Sequence, residues 1–198
     1  MLAALIESPT ISPPRKRLTR ADRAVLEMNG LLEEDGVELI EGDLIEKISK
    51  NWPHTHALMV VMNWLIKVFG GDFVAPEASI NVAPEDNPTS EPEPDLIVLK
   101  SPSRDFLVGS TKPGPDDLRL IVEISSATVR FDLTVKAALY ARAGIAEYWV
   151  LDLNQKRMGV HRDPRIGEYQ SVVWYGEKES VSPLAAPDAQ FSVAAPFE

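Results

Sequence analysis

The 198-residue sequence contains no cysteine. That excludes a disulfide framework, a thiolate zinc site and a cysteine nucleophile. Positive charge is also in short supply. Twenty Lys and Arg face thirty Asp and Glu, a net charge of -10. A generic nucleic-acid binder normally carries a basic excess, so the overall acidity first argues against one. Long hydrophobic runs are missing too. The longest, residues 57–66, is interrupted by Asn63 and followed by Lys67. It falls short of the roughly 20 residues a bilayer requires. The apolar start, Met1 to Ile6, has its basic residues Arg15, Lys16 and Arg17 after it rather than before it. That order is wrong for a signal peptide, and the expectation is a cytoplasmic protein. Only three histidines are present, so a His-based hydrolase has little to work with.

What is present is enough for a packed domain. Apolar residues make up 44% of the chain, too many for a disordered polyanion, and one domain is the default at this length. Residues 1–17, with Pro9, Pro13 and Pro14, read as a flexible basic arm. Thr19 to Asp22 has the form of a capping box, so a helix should start there and stop near Gly30. A Glu41-Gly42 turn between two alternating segments predicts a hairpin. A second helix is expected from about Thr55 to Phe69, apolar on most faces and therefore buried. Half of the sixteen prolines fall between Pro76 and Pro115, which predicts turns and short strands there. Leu96 to Leu99 and Leu118 to Ile124 read as central strands covered on both faces. A third helix, about Asp132 to Ala143, precedes strands near 148–151, 157–161 and 168–175. The tail, 183–198, is Pro- and Ala-rich and reads as loosely structured. With no internal repeat and no linker, the pattern is α/β: a single domain with a central mixed β-sheet flanked by helices.

The informative residues break the burial rules. Glu123 lies inside Leu120-Ile-Val-Glu-Ile, where an ionised carboxylate must be paired, protonated or metal-bound. Asp95 follows Pro94 at the entrance of the Leu96 strand, and Glu38 sits in Val37-Glu-Leu-Ile. Such a set of hard oxygen donors suits Mg²⁺ or Mn²⁺. Each acid also has a plainer reading: an exposed hairpin acid for Glu38, a strand-end acid for Asp95, an internal salt bridge for Glu123. Asp132, Lys136 and Tyr140 follow at i, i+4 and i+8, one stripe of a helix. That stripe is either a solvated ion pair or a cation delivered to the acids. His54 and His56 at the start of the second helix are two residues apart and point to different faces, so they read as helix-start residues rather than a metal pair.

These blocks resemble a known family. Pro94-Asp95 and Glu123-Ile-Ser125 look like the PD-(D/E)XK motif of the restriction endonuclease-like nucleases. Within that superfamily the short restriction endonucleases of the Uma-two type are most similar. Further matching blocks are Val37 to Glu46, Asp132 to Tyr140 and Gly144 to Asp152. The resemblance implies a restriction endonuclease-like nuclease domain over 18–182 that hydrolyses DNA phosphodiester bonds with Mg²⁺ or Mn²⁺. It implies metal ligation by Asp95, Glu123 and the backbone carbonyl of Ile124, with Glu38 as a further acid. Ser125 stands where the motif has its lysine, and Lys136 on the following helix takes that place. Asp132, Tyr140 and Ser125 would support it. By analogy the protein would be a homodimer without membrane partners. A catalytically silent nucleic-acid- or protein-binding module retaining the fold is the alternative.

The charge is unevenly placed. Residues 31–100 hold fourteen acids and four bases, and this is the segment carrying Glu38 and Asp95. A basic group, Arg15, Lys16, Arg17, Arg20 and Arg23, precedes it. The acidity therefore does not exclude a nucleic-acid substrate. It predicts that binding is weak until a divalent cation offsets the acids.

Overall fold

The computed structural model describes residues 15–32, 36–47, 51–107 and 111–198. The expected arm lies largely outside the described residues. Helix α1 spans Arg20–Met28, and the capping box forms as the sequence implies. The Thr19 hydroxyl accepts from the Asp22 N–H, and the Asp22 carboxylate accepts from the Thr19 N–H. The hairpin pairs β1 (Val37–Ile40) with β2 (Asp43–Glu46). Its two turn residues both have positive φ, Glu41 at 50° and Gly42 at 84°. A tight two-residue turn of the primed type needs this conformation at both positions.

Helix α2 (Trp52–Phe69) starts at Asn51, whose side chain accepts from the His54 N–H. Strands β3 (Val74–Pro76), β4 (Leu96–Leu99), β5 (Leu118–Ser125), β6 (Glu147–Asp152), β7 (Arg157–Arg165) and β8 (Glu168–Gly176) follow. They form a six-stranded sheet in the order β3-β4-β5-β6-β7-β8. Only β5 and β6 are parallel; every other pairing in that sheet is antiparallel. A parallel pair needs a crossover. It is supplied by α3 (Val129–Phe131), a π-helical turn (Asp132–Lys136) and α4 (Ala137–Arg142) in continuous succession.

Strand alternation divides the core in two. Leu96, Val98, Leu120, Val122, Trp149 and Leu151 pack with Ala57, Val61 and Leu65 of α2. Ile97, Leu99, Ile121, Tyr148 and Val150 pack with Leu139, Tyr140 and Ala141 of α4. The sheet is thus covered on both faces, and all residues of β4 and β6 are buried. Glu123 has the parity of Ile121, so it points toward the α4 side.

Three expectations change. The second helix is not buried all round: Ala57, Val61 and Leu65 face the sheet, whereas Met59 and Ile66 are exposed. It lies on one face of the sheet with solvent on its other side. The tail is packed rather than loose. Strand β10 (Phe191–Ser192) pairs with β9 (Ser180–Val181), and Phe191 and Val193 are buried. Phe191 meets the Trp64 ring edge-on at 5.1 Å, which closes the α2 side of the core. Finally, Arg20 and Arg23 turn inward. Arg20 donates to the Ser90 carbonyl and to Asn81 and Asn87. Arg23 pairs with Glu27, Glu91 and Glu93. These two arginines fasten α1 to the 80–93 segment, so the basic group that precedes residues 31–100 is partly spent inside the fold.

Candidate active site

The end of β5 is where the sheet carries polar groups. Asp95 precedes β4, which is hydrogen-bonded to β5 with Leu96 opposite Val122. That register sets Asp95 beside Glu123. The Asp95 N–H points at Glu123 Oε2 at 3.4 Å, and the Ile124 N–H donates to Asp95 Oδ2 at 2.8 Å. Glu38 arrives from β1, where its Oε2 accepts from the Glu93 N–H at 3.2 Å. Lys136 arrives from the crossover. Its Nζ lies 2.9 Å from both Glu38 Oε1 and Glu123 Oε1, and 4.0 Å from Asp132 Oδ1. All five side chains are buried.

The supporting groups are in contact as well. Tyr140 donates to Glu123 Oε1 at 3.3 Å. Ser125 and Thr128 donate to Asp132 Oδ2 at 2.6 and 2.7 Å. Ser125, standing at the motif's lysine position, therefore fixes the acid that neighbours the displaced lysine. The π-helical turn runs from Asp132 to Lys136, and the Ala137 N–H reaches back to the Asp132 carbonyl. That carbonyl also accepts from the Tyr148 hydroxyl at 3.1 Å. Insertions of this kind concentrate at functional sites. The plainer reading of the stripe as a solvated ion pair does not hold, since Asp132, Lys136 and Tyr140 are all buried.

His54 joins the site. Its Nε2 is 3.3 Å from Asp95 Oδ2, and its buried Nδ1 has no hydrogen-bond partner among the described residues. This contact is not legible in the sequence, because nothing local connects the first turn of α2 with the entrance of β4. His56 faces elsewhere, as the two-residue spacing implies.

A cavity of about 570 Å³ opens over these groups, lined among others by Glu38, Asn51, His54, Asp95, Glu123, Ile124, Asp132 and Lys136. Its electrostatics are unbalanced. Burial pushes the Glu123 carboxyl well above the usual carboxylate range, opposed by Lys136 and reinforced by Asp95, Asp132 and Glu38. Burial alone would push the Lys136 ammonium down, yet Glu123, Glu38 and their neighbours together hold it well above its ordinary value. Three buried acids, Glu38, Glu123 and Asp132, thus lie within 4.0 Å of one lysine, with Asp95 beside Glu123.

Other buried acids are fully accounted for. Glu147 accepts from Arg162, the Trp149 indole and the Leu184 N–H. Asp152 accepts from the Asn154 and Gln155 N–H groups and pairs with Arg157. Both are structural, and neither pairing was read from the sequence.

Whether the acids suit a divalent ion is a question of donor chemistry. The donors are hard oxygens with excess negative charge, as Mg²⁺ prefers. Among the described residues no three Asp, Glu or His side chains are arranged as a ready-made coordination shell, because Lys136 sits between Glu38 and Glu123. The arrangement therefore fits a cation held by few protein ligands, with water and phosphate oxygens completing the shell.

Comparisons with known proteins bear on the fold and the family. Among curated proteins none matches the chain. Among solved structures, the crystal structure of a putative nuclease belonging to DUF820 from Anabaena variabilis is similar. The TM-score is 0.63 at 16% identity, covering 86% of this chain and 95% of that one. At that identity the likeness establishes a shared restriction endonuclease-like fold. The Uma2 family, described as putative restriction endonucleases, matches residues 24–194. With nearly the whole described domain inside that match, the chain belongs to the Uma2 family.

Proposed function

We propose that the protein is a metal-dependent nuclease that hydrolyses DNA phosphodiester bonds. One observation carries the reading: Glu38, Asp95 and Glu123, from three separate elements, face one cavity around a single buried lysine. Asp95, Glu123 and the Ile124 carbonyl would hold Mg²⁺ or Mn²⁺, with Glu38 as a further acid. A divalent ion bound there supplies Lewis-acid polarisation of the phosphate and a more acidic bound water.

The roles of the chain's own groups follow from their contacts. Lys136 has three N–H donors and spends two on Glu38 and Glu123. The third can hold the attacking water or a non-bridging phosphate oxygen where charge develops. Tyr140 and the Asp95 N–H fix the Glu123 carboxylate, while the Ile124 N–H and His54 fix Asp95. Ser125 and Thr128 hold Asp132 beside Lys136. Water attacks phosphorus in line with the departing oxygen, one P–O bond forms and one breaks, and no covalent enzyme intermediate is required. A homodimer would bring one such site to each strand of a duplex.

Nicking of supercoiled plasmid tests this reading. Conversion to open circles is expected with Mg²⁺ or Mn²⁺, and loss of it with EDTA or in Glu123→Ala. Cleavage that survives both would contradict the proposal. DNA binding without cleavage under any divalent metal would instead identify a silent binding module.

A further inference from the structure

Beside the acidic cavity lies a second one of about 330 Å³, lined among others by Trp52, Pro53, Leu153, Lys156, Phe197 and Glu198. Trp52 is 78% exposed although it is a large aromatic side chain at the start of a helix. Its three fellow tryptophans are all engaged: Trp64 and Trp149 stack in the core, and Trp174 lies under the Arg157 guanidinium at 3.7 Å. On the far side of this second cavity, the Lys156 ammonium lies 5.6 Å from the Phe197 ring centre. The cavity thus combines an exposed indole and a second ring with a lysine that is paired to Glu177.

Two strands of connection tie it to the acidic cavity. The first is α2: Asn51 and His54 line the acidic cavity, and Trp52 and Pro53 line the other. Trp52 and His54 are separated by roughly 3 Å of helix rise. The second is the β5 end. The Leu153 N–H donates to the Ser125 carbonyl, and the Asn154 amide donates to the Ser126 carbonyl. Ser126 borders the acidic cavity and Leu153 the second one. The two cavities therefore flank the same helix turn.

We propose that this second cavity is a nucleobase subsite, in which a base flanking the scissile phosphate stacks on Trp52. The inference rests on the nuclease reading and deepens it. A π-face is common to all four bases, so the contact is tolerant of sequence. It also offsets a weakness of the acidic cavity, which by itself repels the phosphate backbone. Lys156 already pairs with Glu177 at 3.3 Å, and Glu198 also borders the cavity, so the contact with the base is one of ring stacking and not of charge attraction.

The test is binding of a labelled single-stranded oligonucleotide to the full chain by fluorescence anisotropy, at one fixed salt concentration with Ca²⁺ present. Trp52→Ala is expected to weaken binding about 10-fold and Trp52→Phe far less, as stacking on an aromatic ring requires. Placing an abasic site successively along the oligonucleotide should reveal one position at which wild type and Trp52→Ala bind alike. Equal affinity of wild type and Trp52→Ala overturns the subsite, and if the wild type still nicks plasmid the nuclease reading stands without it. Equal losses in Trp52→Ala and Trp52→Phe also overturn it. A wild type that binds no oligonucleotide and cleaves no DNA removes the subsite together with the reading beneath it.

Discussion

Lys136 is the residue on which the polar network turns. Its partners Glu38, Glu123 and Asp132 come from β1, β5 and the π-helical turn, and no other described lysine or arginine is paired with them. Removing one partner of a buried ionic group is far more costly than removing the pair, because charges are left uncompensated. Lys136→Ala should therefore lower unfolding free energy by roughly 3 kcal/mol or more in urea denaturation. An unchanged midpoint would mean that the carboxylates do not depend on this cation. Glu123 and Glu38 were legible in the sequence because each interrupts an apolar strand, Glu123 within Leu120-Ile-Val-Glu-Ile and Glu38 within Val37-Glu-Leu-Ile. Lys136 was legible from its spacing to Asp132 and Tyr140. His54 was not, since its contact with Asp95 spans 41 residues and arises from where α2 lands on the sheet. Ser125 was singled out as a departure from the motif. That its hydroxyl holds Asp132 is a tertiary fact.

At the scale of elements, the strands were the most readable. Continuous apolar runs give β4 and β5 their places between two helical layers, and the Glu41-Gly42 turn gives the hairpin. The C-terminal segment was the least readable. Among Pro and Ala residues, the alternation Phe191-Ser-Val193 is too short to read as a strand, yet Phe191 and Val193 are buried where β10 joins β9. What orders them is the Trp64 and Trp149 surface presented by α2 and β6. Large-to-small changes at such a site lose both transfer energy and packing. Phe191→Ala should cost about 3 kcal/mol or more, measured by thermal or chemical unfolding. A cost near zero would show that the segment contributes nothing to the core, as its composition alone implies.

The whole molecule is limited on both sides of neutral pH by buried titratable groups. Burial raises the Tyr140, Tyr148 and Tyr169 phenols well above their ordinary value, and nearby carboxylates add to the effect. Their neutral forms favour the folded state. The stability this confers is complete below the unfolded phenol value of about 10 and falls as pH rises beyond it. Burial lowers the His161 imidazole, so its neutral form also favours folding, and that contribution falls as pH drops below about 6.5. Alkaline titration should show unfolding and tyrosinate absorbance rising together above about pH 10. Formation of more than one tyrosinate among the four tyrosines at ordinary phenol values without unfolding would contradict the burial of these three rings. The acidity of residues 31–100 takes its meaning from the same scale, because part of it converges on one cavity instead of spreading over the surface. On the proposed function, Asp95 and Glu123 use that concentration of charge to hold a divalent cation. Calorimetric titration with Mn²⁺ tests it most directly: the wild type should bind Mn²⁺ at a site that Asp95→Asn and Glu123→Gln both abolish, whereas unchanged binding in the two folded variants would contradict it.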